Sequence, residues 1–204
     1  EAARAGDFLC GTMDSFLIYR LTGGKEFRTD VSNASRTQLM NLTTLDWDPE
    51  MCEWFGIQKD MLPRICSSDA LFGMTDFEGV LERPIPIHGV LGDSHAALFG
   101  HGCRKSGQMK TTYGTGSSIM MNIGEKPVWS QKGLVTSLAW QIGGKAEYVL
   151  EGNINYTGAV MTWAIKDLGL LESAAQADEL AYAASENDTT YIVPAFTGLG
   201  APYW

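Results

Sequence analysis

Apolar positions fall at helical spacing across residues 1–22, with Phe16, Leu17 and Leu21 on one side and Thr12 as a candidate N-cap. Gly23-Gly24 ends that pattern. Residues 28–44 are polar, and Asp30, Ser32, Asn33, Ser35, Arg36 and Thr37 crowd together, as in a loop whose side chains bond their own backbone. A helix start follows, in which Asp48 caps, Pro49 takes the first helical position, Met51, Trp54 and Phe55 form an apolar side, and Gly56 stops the helix. Trp47 and Trp54 are expected to pack in a core. Residues 59–62 predict a short turn before Pro63, and 67–82 a loop with one short strand. The apolar run Ile85, Ile87, Val90, Leu91 predicts a buried strand ending at Gly92-Asp93, followed at once by a short helix over 94–101.

Beyond the turn at 104–107 the pattern becomes one of strands, at 108–113, 117–123, 134–142 and 145–151, with Gly143-Gly144 as a hairpin signal between the last two. Residues 152–170 predict a loop feeding a helix, 173–184 a second helix, and 191–196 a further strand. Antiparallel strands, then helix, then strand is the order of a ribonuclease-H-like domain. The fold class is therefore α/β with mixed sheets, and the boundary between two domains is placed after residue 102.

Composition narrows the partners. The chain has 204 residues, 45% hydrophobic and 19% charged, ample for a core. A net charge of −9, with Arg104-Lys105 the only adjacent basic pair, argues against a nucleic-acid surface. The four cysteines are scattered, without metal-ligand spacing, which suits free thiols in a reducing cytoplasm. No apolar run approaches the roughly 18 residues of a membrane span.

Two loops carry candidate chemistry. Asp93 stands at a strand's end and against a helix N-terminus, where open α/β folds place ligands and the helix dipole favours an ionised acid. Gly114-Thr115-Gly116 joins two strands; its glycines let the backbone approach a bound group, and its N–H groups and the Thr115 hydroxyl can cradle phosphate oxygens. Taken singly, a helix-capping aspartate and a tight turn would explain both. Ser94 and His95 do not form a hydrolase pair, because adjacent residues on a helix point about 100° apart. His95 reads as a structural or surface histidine, as do His88 and His101.

GDSHAALFG (92–100) followed by TYGTGSSIMMNIG (112–124) closely resembles the central segment of the FGGY carbohydrate kinases, most of all their glycerol-phosphorylating members. FLCGTMDSFLIYRLTG (8–23), TDVSNASRT (29–37), LDWD (45–48) and VPAFTGLGAPYW (193–204) agree, so the likeness runs nearly end to end. The resemblance implies an actin/hexokinase-type two-domain kinase with both domains incomplete: 1–102 as the C-terminal part of the substrate-side domain and 103–204 as the N-terminal part of the ATP-side domain. It implies ATP with Mg²⁺ as cofactors, a small sugar or polyol as the other partner, no metal-ligand set in this chain, a cytoplasmic setting, and a homo-oligomer in the longer parent.

Residue by residue, the resemblance makes Asp93 the catalytic base and a substrate contact. Gly114, Thr115 and Gly116 become contacts to the terminal ATP phosphates. Gly158 becomes a glycine near the nucleotide at a helix N-terminus, and Thr162 stands where relatives carry a nucleotide-facing glutamine. Ser94 and Ser118 fall at substrate-contacting positions, where the glycerol-phosphorylating members have glutamine and phenylalanine. These two departures imply a smaller, more polar pocket wall with room for a longer polyol or ketose. The alternatives are therefore a xylulose-type or other ketose or alditol kinase, and a non-catalytic actin-like module that binds sugar or nucleotide. The remaining phosphate-loop and adenine contacts of the family lie outside this chain, so the piece alone is expected to be inactive.

Overall fold

The computed structural model describes residues 8–200 and Tyr203. By packing, the chain forms two units. The first takes in the chain to Lys110 with Met121–Trp129 and Thr136–Leu150; the second comprises Thr111–Met120, Ser130–Val135 and the chain from Glu151.

In the first unit, α1 spans Met13–Leu21 with Thr12 at its N-cap, and Gly23 and Gly24 follow it in left-handed conformations. The earlier part of the expected helix, residues 1–7, lies outside the described residues. The buried face of α1 differs from expectation. Ser15 and Ile18 point inward, while Phe16 and Leu17 are exposed. Ser15 can be buried because its hydroxyl donates to the Thr12 carbonyl at 2.7 Å, leaving no orphan donor.

Strand β1 (Arg28–Asp30) pairs in parallel with β4 (Arg64–Cys66), Asp30 opposite Cys66. The polar stretch after β1 folds as expected on its own side chains. Asp30 caps the short helix α2 (Val31–Ala34), Ser35 donates to the Ser32 carbonyl, and Thr37 to the Ala34 carbonyl. Strands β2 (Met40–Asn41) and β3 (Asp46–Trp47) pair antiparallel and lead into α3 (Pro49–Phe55). Asp48 accepts from the Glu50 and Met51 N–H groups, Pro49 needs no partner in the first turn, and Gly56 closes the helix at φ 67°. A 3₁₀ turn covers Lys59–Met61.

Val31, Ala34, Leu39, Met40, Trp47, Cys52, Leu62, Leu138 and Tyr148 form the core of this unit. Its two amphipathic aromatics satisfy their polar tips: Trp47 Nε1 donates to the Pro63 carbonyl and Tyr148 Oη to the Leu42 carbonyl, both at 2.8 Å. Trp54 does not join them. It is 72% exposed, on the outer side of α3, whose one buried residue is Cys52.

Strand β5 (Leu71–Thr75) pairs antiparallel with β6 (Ile85–His88). The strand expected to be buried is thus short and largely exposed, because it forms a two-stranded ribbon and pairs with no larger sheet among the described residues. Residues 89–92 are irregular and deliver the chain to α4 (Asp93–Gly100). Strands β7 (Met109–Tyr113), β8 (Ser117–Gly124), β9 (Val135–Ile142) and β10 (Lys145–Ile154) form a sheet of order β7-β8-β10-β9. Gly143 and Gly144 make the β9–β10 turn with φ 58° and 78°, the positive pair that a two-residue hairpin requires.

The second unit carries α5 (Gly158–Lys166) and α6 (Gln176–Ala183). The strand expected at 191–196 is not formed; only an isolated bridge joins Phe196 to Gly198. Tyr191, Ile192 and Val193 are exposed, and a β-branched run without a neighbouring strand has nothing to satisfy its ladder.

Candidate functional site

Asp93 belongs to the first unit and is the first residue of α4, with Gly92 as N-cap. Its carboxylate is exposed at the N-terminal end of the helix, and Oδ1 accepts the Ser94 N–H at 2.6 Å. Ser94, at the next position, is half-buried. His95 turns the other way, into the unit. It is 3% exposed, and its Nε2 stands 3.5 Å from Ser137 Oγ. Burial, followed by the charge of Arg36, lowers its pKa to about 4 against an opposing pull from Asp93. A buried neutral imidazole facing a serine is structural, and the geometry excludes it as partner to Ser94 in a nucleophile–base pair.

The loop before Asp93 is fastened from below. Gly92 N–H donates to Ser32 Oγ at 2.9 Å, and Val90 N–H to the Ser68 carbonyl at 3.0 Å. Both serines lead to Asp30, which is 0% exposed and accepts Ser32 Oγ at 2.9 Å and Ser68 Oγ at 2.8 Å. Burial pushes the Asp30 pKa up from its ordinary value, and hydrogen bonds from Asn33, Ser32 and Ser68 pull it back. The capping role of Asp30 is visible in the TD-x-SN wording; its reach to residues 68 and 92 is not.

In the second unit, Gly114, Thr115, Gly158 and Thr162 come together along an open cleft of about 630 Å³. Its far wall is aromatic: Phe196 packs against Tyr156 at 5.2 Å and Trp163 at 5.0 Å between ring centroids. In the sequence Trp163 falls in the expected helix, Phe196 in the expected strand and Tyr156 in the loop before the helix, with nothing to bring them together. Gly116 is not on the cleft wall. A side chain there would meet the Ile154 carbonyl oxygen at 2.6 Å, so this glycine is required by the chain's own backbone.

The N-terminus of α5 also differs from expectation. Its N–H groups do not face open space. Thr157 N–H and Ala159 N–H donate to the Thr115 carbonyl at 3.0 and 3.1 Å, and Gly158 N–H to the Gly114 carbonyl at 3.0 Å. The helix start therefore grips the 114–116 loop. Thr162 Oγ1 bonds back to the Gly158 carbonyl at 3.4 Å. Ser118 donates to the buried Glu151 at 2.8 Å, so its hydroxyl proton is committed within the protein. Among the described residues, no group of three or more His, Cys, Asp or Glu side chains is placed to hold a metal ion. Nor is any helix long and apolar enough to cross a membrane.

Comparison with known proteins settles the family. The N-terminal domain of the FGGY family of carbohydrate kinases matches residues 1–100, and the C-terminal domain of the same family matches residues 109–204. The chain belongs to the FGGY family of carbohydrate kinases. Among its FGGY relatives, a glycerol kinase of Francisella tularensis subsp. holarctica is 48% identical over 204 residues, which is 100% of this chain and 41% of that protein. A solved glycerol kinase of Plasmodium falciparum, crystallised with ADP, superposes with a TM-score of 0.79 at 37% identity, covering 86% of this chain and 35% of that one. A ligand-bound xylulose kinase from Lactobacillus acidophilus does so with a TM-score of 0.72 at 25% identity, covering 84% and 34%. The chain thus spans about two fifths of the length of the curated FGGY relatives it matches.

Proposed function

We propose that this chain forms part of an ATP-dependent kinase that phosphorylates a hydroxyl of a small polyol or sugar, with Asp93 as general base. The observation that carries the reading is the exposed Asp93 carboxylate at the first position of α4, in a chain 48% identical throughout to a glycerol kinase. Residues 1–102 supply the substrate side and 103–204 the nucleotide side. In the reaction, Asp93 accepts the proton of the substrate hydroxyl as its oxygen attacks the terminal phosphorus of ATP. The bond from that phosphorus to the bridging oxygen breaks, and ADP leaves. Mg²⁺ enters with ATP as part of the substrate and offsets charge on the phosphates.

The nucleotide arm is supported by the second-unit cleft, which Gly114, Thr115, Gly158 and Thr162 line. In this reading Thr115 and the backbone of its loop would receive the terminal phosphates, with Gly116 shaping the loop from behind. The relative crystallised with ADP supports nucleotide use. The proposal extends to a homo-oligomeric full-length protein acting in the cytoplasm.

One observation favours a substrate longer than glycerol. Ser94 and Ser118 are each small and polar, and Ser118, whose proton goes to Glu151, keeps oxygen lone pairs that can accept from an additional substrate hydroxyl. The test uses the full-length protein with glycerol, erythritol, ribitol, xylulose and ribulose, with ADP release as readout. Turnover of glycerol alone would remove the argument from Ser94 and Ser118. Replacing Asp93 by Asn should lower kcat by several orders of magnitude with the fold intact by circular dichroism. Near-normal turnover would end its assignment as base.

A further inference from the structure

We propose that Ser32, held by the buried Asp30, is a positioning residue for Asp93; this rests on the reading of Asp93 as the base. A four-residue helix such as α2 needs only an ordinary cap, and an exposed Asp or Ser would provide one. Asp30 is instead fully buried and surrounded by five neutral donors. Oδ1 accepts from Ser32 Oγ, Asn33 N–H and Asn33 Nδ2, and Oδ2 from Ser32 N–H and Ser68 Oγ. Taking a carboxylate out of water costs free energy unless its oxygens are satisfied, and five donors fill the roughly four lone-pair directions that two oxygens offer.

Two of these donors lead directly to the chain that presents Asp93. Ser32 Oγ, having donated to Asp30, accepts Gly92 N–H at 2.9 Å. The same Gly92 accepts Ala96 N–H on its carbonyl at 2.7 Å, so the peptide on either side of the glycine is fixed immediately before the base. Ser68 provides a second tether. Its hydroxyl donates to Asp30 and accepts Gln141 N–H at 3.2 Å, while its carbonyl accepts Val90 N–H at 3.0 Å. A side chain at Gly92 would meet His95 Nδ1 at 2.9 Å, so the close approach of this peptide to Ser32 and α4 calls for glycine. The geometry makes residues 90–92 a short span pinned at both ends to one buried carboxylate, and Asp93 is the next residue.

The experiment is a double-mutant cycle in the full-length protein. Ser32→Ala removes the acceptor of Gly92 N–H; Ser32→Thr keeps it. Misplacing a catalytic group by about 1 Å costs up to about 100-fold, so Ser32→Ala should lower kcat by about 10- to 100-fold while the KM for the sugar or polyol changes less than about 2-fold. Ser32→Thr should restore most of that loss. In an Asp93→Asn background, Ser32→Ala should cost nothing further, because there is no base left to misplace. Should Ser32→Ala not fold, Ser32→Cys, whose thiol is close in size and only a weak acceptor for Gly92 N–H, carries the same cycle.

A loss that persists undiminished in the Asp93→Asn background, or that threonine fails to restore, overturns the positioning role. So does unchanged kcat in a folded Ser32→Ala protein. Near-normal turnover by Asp93→Asn alone is a separate result, and it overturns the base assignment itself.

Discussion

Substituting Gly158 by Ala tests the proposed nucleotide cleft of the second unit through one carbon atom. A Cβ at this position would stand 2.5 Å from the Gly114 carbonyl oxygen and 3.3 Å from its carbon. Ordinary contact between such atoms is near 3.5 Å, so the 114–116 loop and the start of α5 must separate by about 1 Å. That separation stretches the Gly158 N–H bond to Gly114, now 3.0 Å, and weakens the paired bonds from Thr157 and Ala159 to Thr115. Each such bond contributes about 1 kcal/mol net, and alanine returns nearly as much by its better helix propensity. The expected change in stability is therefore small, below about 2 kcal/mol. A phosphate cradle displaced by about 1 Å, by contrast, should lose about 10- to 100-fold in kcat/KM for ATP. Urea denaturation and ADP-release kinetics on the same full-length variant separate the two effects. Near-wild-type kcat/KM for ATP in a folded Gly158→Ala protein would refute the reasoning. So would a uniform loss explained by unfolding alone.

His95 should give the protein an acid-sensitive stability. Its folded value of about 4 lies below its ordinary value of 6.5, so the unfolded state takes up the proton first. Its contribution is complete above pH 6.5, declines as pH falls from there, and levels off below about pH 4, with a total of about 3 kcal/mol. Comparing the pH dependence of urea unfolding with that of His95→Gln isolates this slope, and identical slopes would contradict it. Leu98, fully buried on α4, should cost about 2 to 5 kcal/mol when cut to alanine, measured by thermal or chemical denaturation. A cost below about 1 kcal/mol would show that α4 is less firmly seated than its packing indicates.

What could be read from sequence was what local chemistry decides. The Asp48–Pro49 start and Gly56 stop of α3 follow from hydrogen-bond supply and one left-handed residue, and both stand where the chain places them. Gly143-Gly144 turns the hairpin for the same kind of reason. Asp93 at a helix start and the glycine-flanked Thr115 were likewise legible. The misses involve partners distant along the chain. Among the described residues Tyr191–Phe196 has the composition of a strand and no neighbouring strand to pair with, and Trp54 has the size of a core residue on a largely exposed face. Gly116 was expected to let the backbone approach a ligand and Gly158 to lie near the nucleotide. That each is also needed to clear the protein's own carbonyls depends on residues 154 and 114 and could not be read from spacing. Asp30 was readable as a cap, but no spacing rule connects residue 30 with residues 68 and 92.

The grip of α5 on the 114–116 loop bears on how a nucleotide would be received. A hairpin tip left to itself samples many shapes, and binding would have to choose one and bear the entropic cost of that choice. Here the tip is already ordered by folding, through three main-chain bonds to a helix. On the proposed reading, an incoming triphosphate would meet a preorganised surface, and its affinity would not be diminished by having to freeze it.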